Sequence, residues 1–443
     1  MLATRVSARA STARAIRSYS AAATASSSST PASNLASQYS ESTSPSGVRV
    51  ASFEDHSPVT TLSVVLPAGS RYEPLESPGA AHFLKAFAFK NTTKRTGFRL
   101  TREAELQGAV LSAELGREFL CYTARFLRDD LPYFVESLSD SVLQPKFAHH
   151  ELAAVQNQVA SETSHALASS ESLLTDILHR AAYRSGLGHS LYAHQPLTIE
   201  QIKAYLATRS SAGISVVANG ADHASLSSLV QEAFAEASPS SSPSSSPSTF
   251  HGGEERAVLP GASHFAIAWD VQHSRTTATI LEKLLGSSGP RVRWGEGVSP
   301  LASLSSRLAD TSVTALQLSY TDASLFSLAV AGPRASEAAK AAIAELRKVA
   351  DGSISSEALS RAIKIAKMDL VSARESSLDR ALSIASDAGL GIKRTPLVEA
   401  SSALDSVSAQ QVQDLAKSLL KSKPATAAVG NPNALPYAND LGL

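Results

Sequence analysis

The stretch GAAHFLKAFAFKN, Gly79 to Asn91, holds a histidine at which metal chemistry could begin. His82 is followed by Lys85 at i+3 and Ala86 at i+4, and in a helix these three positions share one face. Histidine, glutamate and histidine there would read as a metallopeptidase, with two imidazole ligands and a carboxylate base. Here an ammonium group stands where the base would be, and a methyl group stands where the second ligand would be. Two other stretches come near a zinc motif. HHELAA offers His150 and Glu151, but Ala154 takes the place of the closing histidine of a direct His-Glu-x-x-His motif. HGGEE offers His251 and Glu254, but Glu255 replaces the histidine, and Gly252-Gly253 suits a turn or strand entry better than a helix. With 12 histidines in the chain, such near misses are expected, and both read as surface histidines.

The elements that must position His82 are legible around it. The strand-like run TLSVVLPAGSRYE comes first, then the Gly/Pro turn PLESPGA, then a helix whose apolar residues are Phe83, Leu84, Phe87 and Phe89. This half of the chain has a counterpart. FLCYTARFLRDDLPYFVESLSDSVLQPKFAHHELAAV starts at Phe119 and LFSLAVAGPRASEAAKAAIAELRKVADGSISSEALSRAI at Leu325. Each predicts a strand, a turn, a long amphipathic helix, a break and another helix. Leu152 and Leu359 fall at equivalent places, and Thr198 and Ser408 are the expected N-caps of a matching later pair of helices. Those helices lead into ISVVANG and ATAAVG, each a strand ending in glycine. The near-constant offset argues for duplication. TLSVVLPAGS and HFAIAWDV open the halves with strands, and helices dominate between the first and last strands. The expected class is therefore α+β, with helices packed on a sheet in each half.

The chain of 443 residues is long enough for two cores, and 43% hydrophobic with 18% charged residues is ordinary for a globular protein. The formal net charge of zero carries no nucleic-acid footprint, so no nucleic acid is expected as a partner. Cys121 is the single cysteine, which excludes an internal disulfide framework and a cysteine-rich metal site, and its apolar run suggests a buried small hydrophobe. No apolar run approaches the ~18 residues that span a bilayer, so membrane association is expected through partners only. Residues 1–40 carry Arg5, Arg9, Arg14 and Arg17 and no carboxylate, the composition of an organelle transit peptide. RSYS at Arg17–Ser20 resembles a mitochondrial processing site. The expected organisation is a transit peptide at 1–19 and a flexible Ser/Ala-rich arm at 20–46. A first domain at 47–237, a Ser/Pro linker at 238–249 and a second domain at 250–443 follow.

Placed after its strand and turn, the His82 stretch resembles the inverted motif of the M16 family of zinc peptidases. FKNTTKR, GLGHSLYAHQPLTIEQI and VVANG are further echoes. The resemblance runs over nearly the whole chain after about residue 47. It implies two duplicated α/β-sandwich halves on mixed, largely antiparallel sheets. It also places Glu162, 76 residues beyond Ala86, about where the family's distal zinc ligand falls. His82 and Glu162 alone fall short of the three protein ligands that a catalytic zinc takes. With Lys85 and Ala86 the motif reads as degenerate, so no catalytic, metal-binding or cofactor-binding residue and no cofactor is expected. No haem-attachment motif or iron–sulfur cysteine set is present. On this reading His82→Ala would change little, whereas Phe83→Asp or Phe87→Asp would disrupt folding and assembly.

Within the family, the segment VRWGEGVSPLASL resembles the core subunits of fungal cytochrome bc1 complexes. The surrounding Leu284–Asp310 carries Gly286, Gly289, Gly295 and Gly297 but no poly-glycine run, unlike the α subunit of the mitochondrial processing peptidase, the alternative. The resemblance implies a peripheral, matrix-side place at the mitochondrial inner membrane. The implied partners are core protein 1, cytochrome b, cytochrome c1, the Rieske protein and small subunits. These would form a dimeric complex, itself able to join supercomplexes with cytochrome c oxidase.

Overall fold

A computed structural model describes residues 39–209, 213–237, 247–286, 298–308, 310–389 and 395–443. The expected transit peptide at 1–19 lies outside the described residues, as do most of the Ser/Pro linker and the glycine-bearing segment at 287–297. The first half contains β1 (Tyr39–Thr43), β2 (Arg49–Phe53), β3 (Val59–Leu66), α1 (Ala80–Ala86), α2 (Gly97–Leu106), β4 (Val110–Leu115) and β5 (Leu120–Leu127). It continues with α3 (Leu131–Leu143), α4 (His149–Ala168), α5 (Ser170–Tyr183), α6 (Ile199–Thr208), β6 (Ser215–Asn219) and α7 (His223–Ala233). The second half opens with β7 (Gly253–Val258), β8 (His264–Asp270), α8 (Arg275–Leu285), α9 (Pro300–Arg307), β9 (Ser312–Ser319) and β10 (Ser324–Ala331). After them come α10 (Ala335–Ala350), α11 (Ser356–Ser372), α12 (Ser377–Gly389), α13 (Leu397–Asp405), α14 (Ala409–Lys421) and β11 (Ala425–Gly430).

The duplication is a duplication of topology. The first sheet has the order β1-β2-β6-β3-β5-β4 and the second β7-β11-β8-β10-β9. In each, one parallel pair (β2 with β6, β7 with β11) joins strands that are otherwise antiparallel. The mixed, largely antiparallel α+β sandwich is therefore what forms. Thr198 and Ser408 each close a capping box at the start of α6 and α14, because each is followed at N3 by a glutamine that reaches back to the cap. Leu152 and Leu359 each stand three residues into α4 and α11.

β1 shortens the arm expected at 20–46. Tyr39–Thr43 pairs antiparallel with β2, and Gly47, at φ 80°, makes the turn between them. Serines that composition marks as low-complexity are tied down here. The His223 ring lies 3.0 Å from Ser42 Oγ and 2.8 Å from Ser52 Oγ. Backbone pairing orders this stretch, and backbone pairing leaves no trace in composition.

β3 reads VTTLSVVL and is buried on both faces after its first residue, so both faces of the sheet must be covered. On one face Leu62, Val64 and Leu66 meet α1, α3 and α6 in the main core of this half. On the other, Val65, Cys121 and Val217 meet Ile384 and Ala385 of α12, a helix from the second half. The second sheet repeats this with the roles reversed. Phe265, Ile267 and Trp269 face its own helices, while Ala266, Ala268, Ala425 and Ala427 face Leu174, Ile177, Leu178 and Tyr183 of α5, from the first half. Each half thus lends one helix to the back of the other's sheet. The alanines give α5 a close approach, and each large apolar side chain so buried is worth about 1.5–3 kcal/mol.

Polar groups fasten the same seam. Arg71 Nη1 donates to Glu118 Oε1 (2.6 Å) and Asp322 Oδ1 (2.7 Å), and Nη2 donates to Asp322 Oδ2 (2.6 Å). Glu118 also accepts from the Thr321 N–H (3.0 Å). Arg380 of α12 donates to Asp55 and Asn219 (both 3.1 Å) and stacks on Phe53.

Candidate functional site

α1 is short, and its N-terminus is built by residues outside it. Gly79 has φ 90°, and a Cβ there would come within 2.3 Å of Ala193 Cβ, so glycine is required twice over. The Glu73 carboxylate accepts from the Gly79 N–H (2.7 Å) and the Ala81 N–H (2.9 Å), pairing first-turn donors that the helix itself leaves open. Burial pushes the Glu73 carboxyl up to about 7, against the downward pull of those two donors. Phe83, Leu84 and Phe87 anchor the helix in the core, with Phe87 edge-on to Phe147 at 5.2 Å.

This places His82, 2% exposed, against Glu162 of α4. His82 Nδ1 accepts the backbone N–H of Ala193 at 3.2 Å, which leaves the proton on Nε2. Nε2 then donates to Glu162 Oε2 at 2.9 Å. Lys85 Nζ reaches the same oxygen at 2.7 Å, and Gln158 Nε2 donates to Oε1 at 2.9 Å. Tyr192 closes the side, edge-on to the His82 ring at 5.9 Å. Burial lowers the His82 pKa, outweighing the pull of Glu162, so the ring is neutral. Burial raises Glu162, but the hydrogen bonds from Lys85, His82 and Gln158 outweigh it and hold the carboxyl at about 2.

The structure thus brings together three of the four motif positions, His82, Lys85 and Glu162, in a closed hydrogen-bonded set. Ala86, the fourth, is buried one turn along α1 and offers only a methyl group. These residues do not fit a catalytic zinc. Both imidazole nitrogens are engaged, the carboxylate is bound to an ammonium, and the Lys85 ammonium and the Ala86 methyl group offer neither a further ligand nor a carboxylate base. Among the described residues no group of three or more histidine, cysteine, aspartate or glutamate side chains is arranged to hold a metal. Lys85 supplies the positive charge next to Glu162, and the cluster ties α1 to α4 by an ion pair.

The near-miss motifs lie elsewhere. His150 is exposed and 3.4 Å from the Asn91 amide, and Glu151 accepts from the Asn91 N–H. His251 is exposed at the entry to β7, and Glu254 and Glu255 pair with Arg256 and Arg180. Sequence reasoning missed Glu73 and the Tyr192-Ala193 pair. A lone carboxylate just before a Gly/Pro turn and an apolar helix start was the available signal for Glu73. Ala193 acts through its backbone and left none.

Comparison with known proteins agrees with this layout. Residues 49–195 match the family model described as insulinase (peptidase family M16), a span that includes α1 and α4. Mitochondrial cytochrome b-c1 complex subunit 2 of Neurospora crassa is 36% identical over 422 residues, covering 91% of this chain and 91% of the relative. The subunit of the same name from Cryptococcus neoformans is 34% identical over 93% of this chain and 96% of its own length. A probable mitochondrial-processing peptidase subunit alpha-1 of Arabidopsis thaliana is 29% identical over 87% of this chain and 80% of its own. Matched at this level along nine-tenths of its length, the chain belongs to the family of cytochrome b-c1 complex subunit 2 proteins, within peptidase family M16.

Proposed function

We propose that this chain is a non-catalytic core subunit of the mitochondrial ubiquinol–cytochrome c reductase, a scaffold for assembly and stability of the complex. The observation that carries the reading is the Lys85–Glu162–His82 cluster, in which the cation beside the carboxylate is a side chain of the protein itself. The near full-length similarity to subunit 2 proteins supports the assembly. Partners on this reading are core protein 1, cytochrome b, cytochrome c1, the Rieske protein and small subunits of a dimeric complex, on the matrix side of the inner membrane. No helix among the described residues is long and apolar enough to cross a membrane, which supports attachment through those partners. Residues 1–19 act as the targeting segment, and 47–237 and 250–443 as the duplicated domains, each completed by the other's helix. Similarity to the processing-peptidase subunit supports a second, weaker reading as a presequence-binding partner of an active peptidase.

Purification from mitochondrial membranes in mild detergent tests the first reading. The chain should co-purify with b- and c-type haem absorption and the other subunits. Recovery as a soluble protein without haem-bearing partners would overturn it. Restoration of presequence cleavage on adding the chain to an active peptidase partner would establish the second reading.

A further inference from the structure

The two sheets differ at one edge. By their parallel pairings, Arg49 with Ser215 and Gly253 with Ala425, β2 and β7 are equivalent strands, so Val50 and Ser52 correspond to Glu254 and Arg256. In β2 the Arg49 N–H donates to Ile214 O (3.1 Å) and Phe53 O accepts from the Gly220 N–H (2.8 Å), which turns the backbone groups of Val50 and Ser52 away from β6. β1 takes them up in an antiparallel ladder, Ser42 opposite Val50 and Ser40 opposite Ser52. In β7 the Gly253 N–H donates to Pro424 O (3.2 Å) and the Leu259 N–H to Gly430 O (3.4 Å). The backbone N–H and C=O groups of Glu254, Arg256 and Val258 therefore point away from β11, and β7 is the end of its sheet. Among the described residues no hydrogen bond reaches these groups. The edge lacks the usual protection against pairing: β7 has no proline, its ladder with β11 runs without a bulge, and Val258 is 78% exposed. Both faces of the strand are met through side chains. Arg256 donates to the carbonyls of Pro432, Leu435 and Pro436 in the C-terminal tail, and Glu255 pairs with Arg180 of α5.

We propose that the outer edge of β7 docks an extended arm of another subunit, which adds to the second sheet antiparallel, as β1 does to the first. The proposal rests on the reading of this chain as a subunit of a larger complex. Backbone N–H and C=O groups supply the ladder, and the exposed side chains of β7 define the arm. Running antiparallel, the arm meets Val258, then Arg256, then Glu254. Charge complementarity then calls for an apolar, an acidic and a basic residue at alternate positions, in that order. A second copy of this chain is a poorer match, because the register that sets Glu254 against Arg256 also sets Glu255 against Glu255.

Hydrogen exchange at single-amide resolution tests it, on the full chain alone and in the complex purified from mitochondrial membranes in mild detergent. In the chain alone, the N–H groups of Glu255 and Ala257 should be protected and those of Glu254, Arg256 and Val258 should exchange fast. In the complex the outer N–H groups should slow by about tenfold or more. Val258→Lys, at an exposed position, leaves the fold intact by far-UV circular dichroism and sets a charge against the arm's apolar residue. In the complex it should speed exchange at the outer amides by about tenfold. A photocrosslinking side chain in place of Val258 should join a terminal segment of another subunit. A complex that keeps its haem-bearing partners while the outer amides exchange as in the free chain would overturn the docking and leave the subunit reading standing. Failure to recover any complex would overturn that reading and the docking with it. Outer amides already protected in the free chain, unchanged protection in the Val258→Lys complex, or a crosslink only to a second copy would also overturn the proposal.

Discussion

Replacing Arg71 by methionine should be among the most damaging single changes in this protein. The Arg71 and Glu118 side chains are 3% and 1% exposed, and Asp322, contributed by the second half, is 26% exposed. Methionine keeps the aliphatic bulk and removes the guanidinium. Glu118 is then a buried carboxylate left with the Thr321 N–H as a donor. Breaking a buried pair from one side costs about 3–5 kcal/mol, because the remaining charge is left uncompensated. Loss of the partly exposed Asp322 contact adds about 1 kcal/mol or less. Urea unfolding of the full chain, followed by far-UV circular dichroism and by fluorescence of the buried Trp269, reads this as a shift of midpoint at constant slope. The compensated variant Arg71→Met/Glu118→Gln should regain at least half of the loss, since it no longer buries a lone charge. A loss under about 1 kcal/mol, or a double variant no more stable than the single, would refute the account of the seam as held by this cluster.

Glu73 and Glu162 give pH dependences of opposite sign. Glu73, raised to about 7 when folded, adds stability below about 4.5 that is lost as pH rises through 7, up to about 3 kcal/mol; Glu73→Gln should flatten the stability profile in that window. Glu162, held at about 2, adds stability above about 4.5 that is lost as pH falls toward 2, and Glu162→Gln should remove that acid sensitivity. Metal analysis should find less than about a tenth of an equivalent of zinc in the wild-type protein, whereas Lys85→Glu/Ala86→His, which restores the ligand count, should take up most of an equivalent. A wild-type protein that retained zinc through chelation would contradict the reading of the site. His82→Ala should cost about 1–3 kcal/mol in thermal unfolding, since it strands the Ala193 N–H and leaves a void. Phe83→Asp should prevent folding, visible as loss of soluble protein, because its ring is fully buried.

Local signals determined a good deal of this. The strand–turn–helix around His82, the cap residues Thr198 and Ser408, the α+β class and the duplication all follow from short-range periodicity and side-chain chemistry. That an ammonium and a methyl group follow His82 at i+3 and i+4 is likewise a matter of residue identity, at Lys85 and Ala86. What the sequence by itself could not determine depends on contacts between residues far apart in the chain. That His82 is engaged rather than idle rests on Ala193, 111 residues away, acting through its backbone. That α5 and α12 cross to the other half's sheet rests on back faces, alanines in the second sheet and Val65, Cys121 and Val217 in the first, that look unremarkable in one dimension. Periodicity tells which face of a helix or strand is buried, because neighbours in sequence share that geometry. It cannot tell against what, because the partner surface is chosen only when the chain closes on itself.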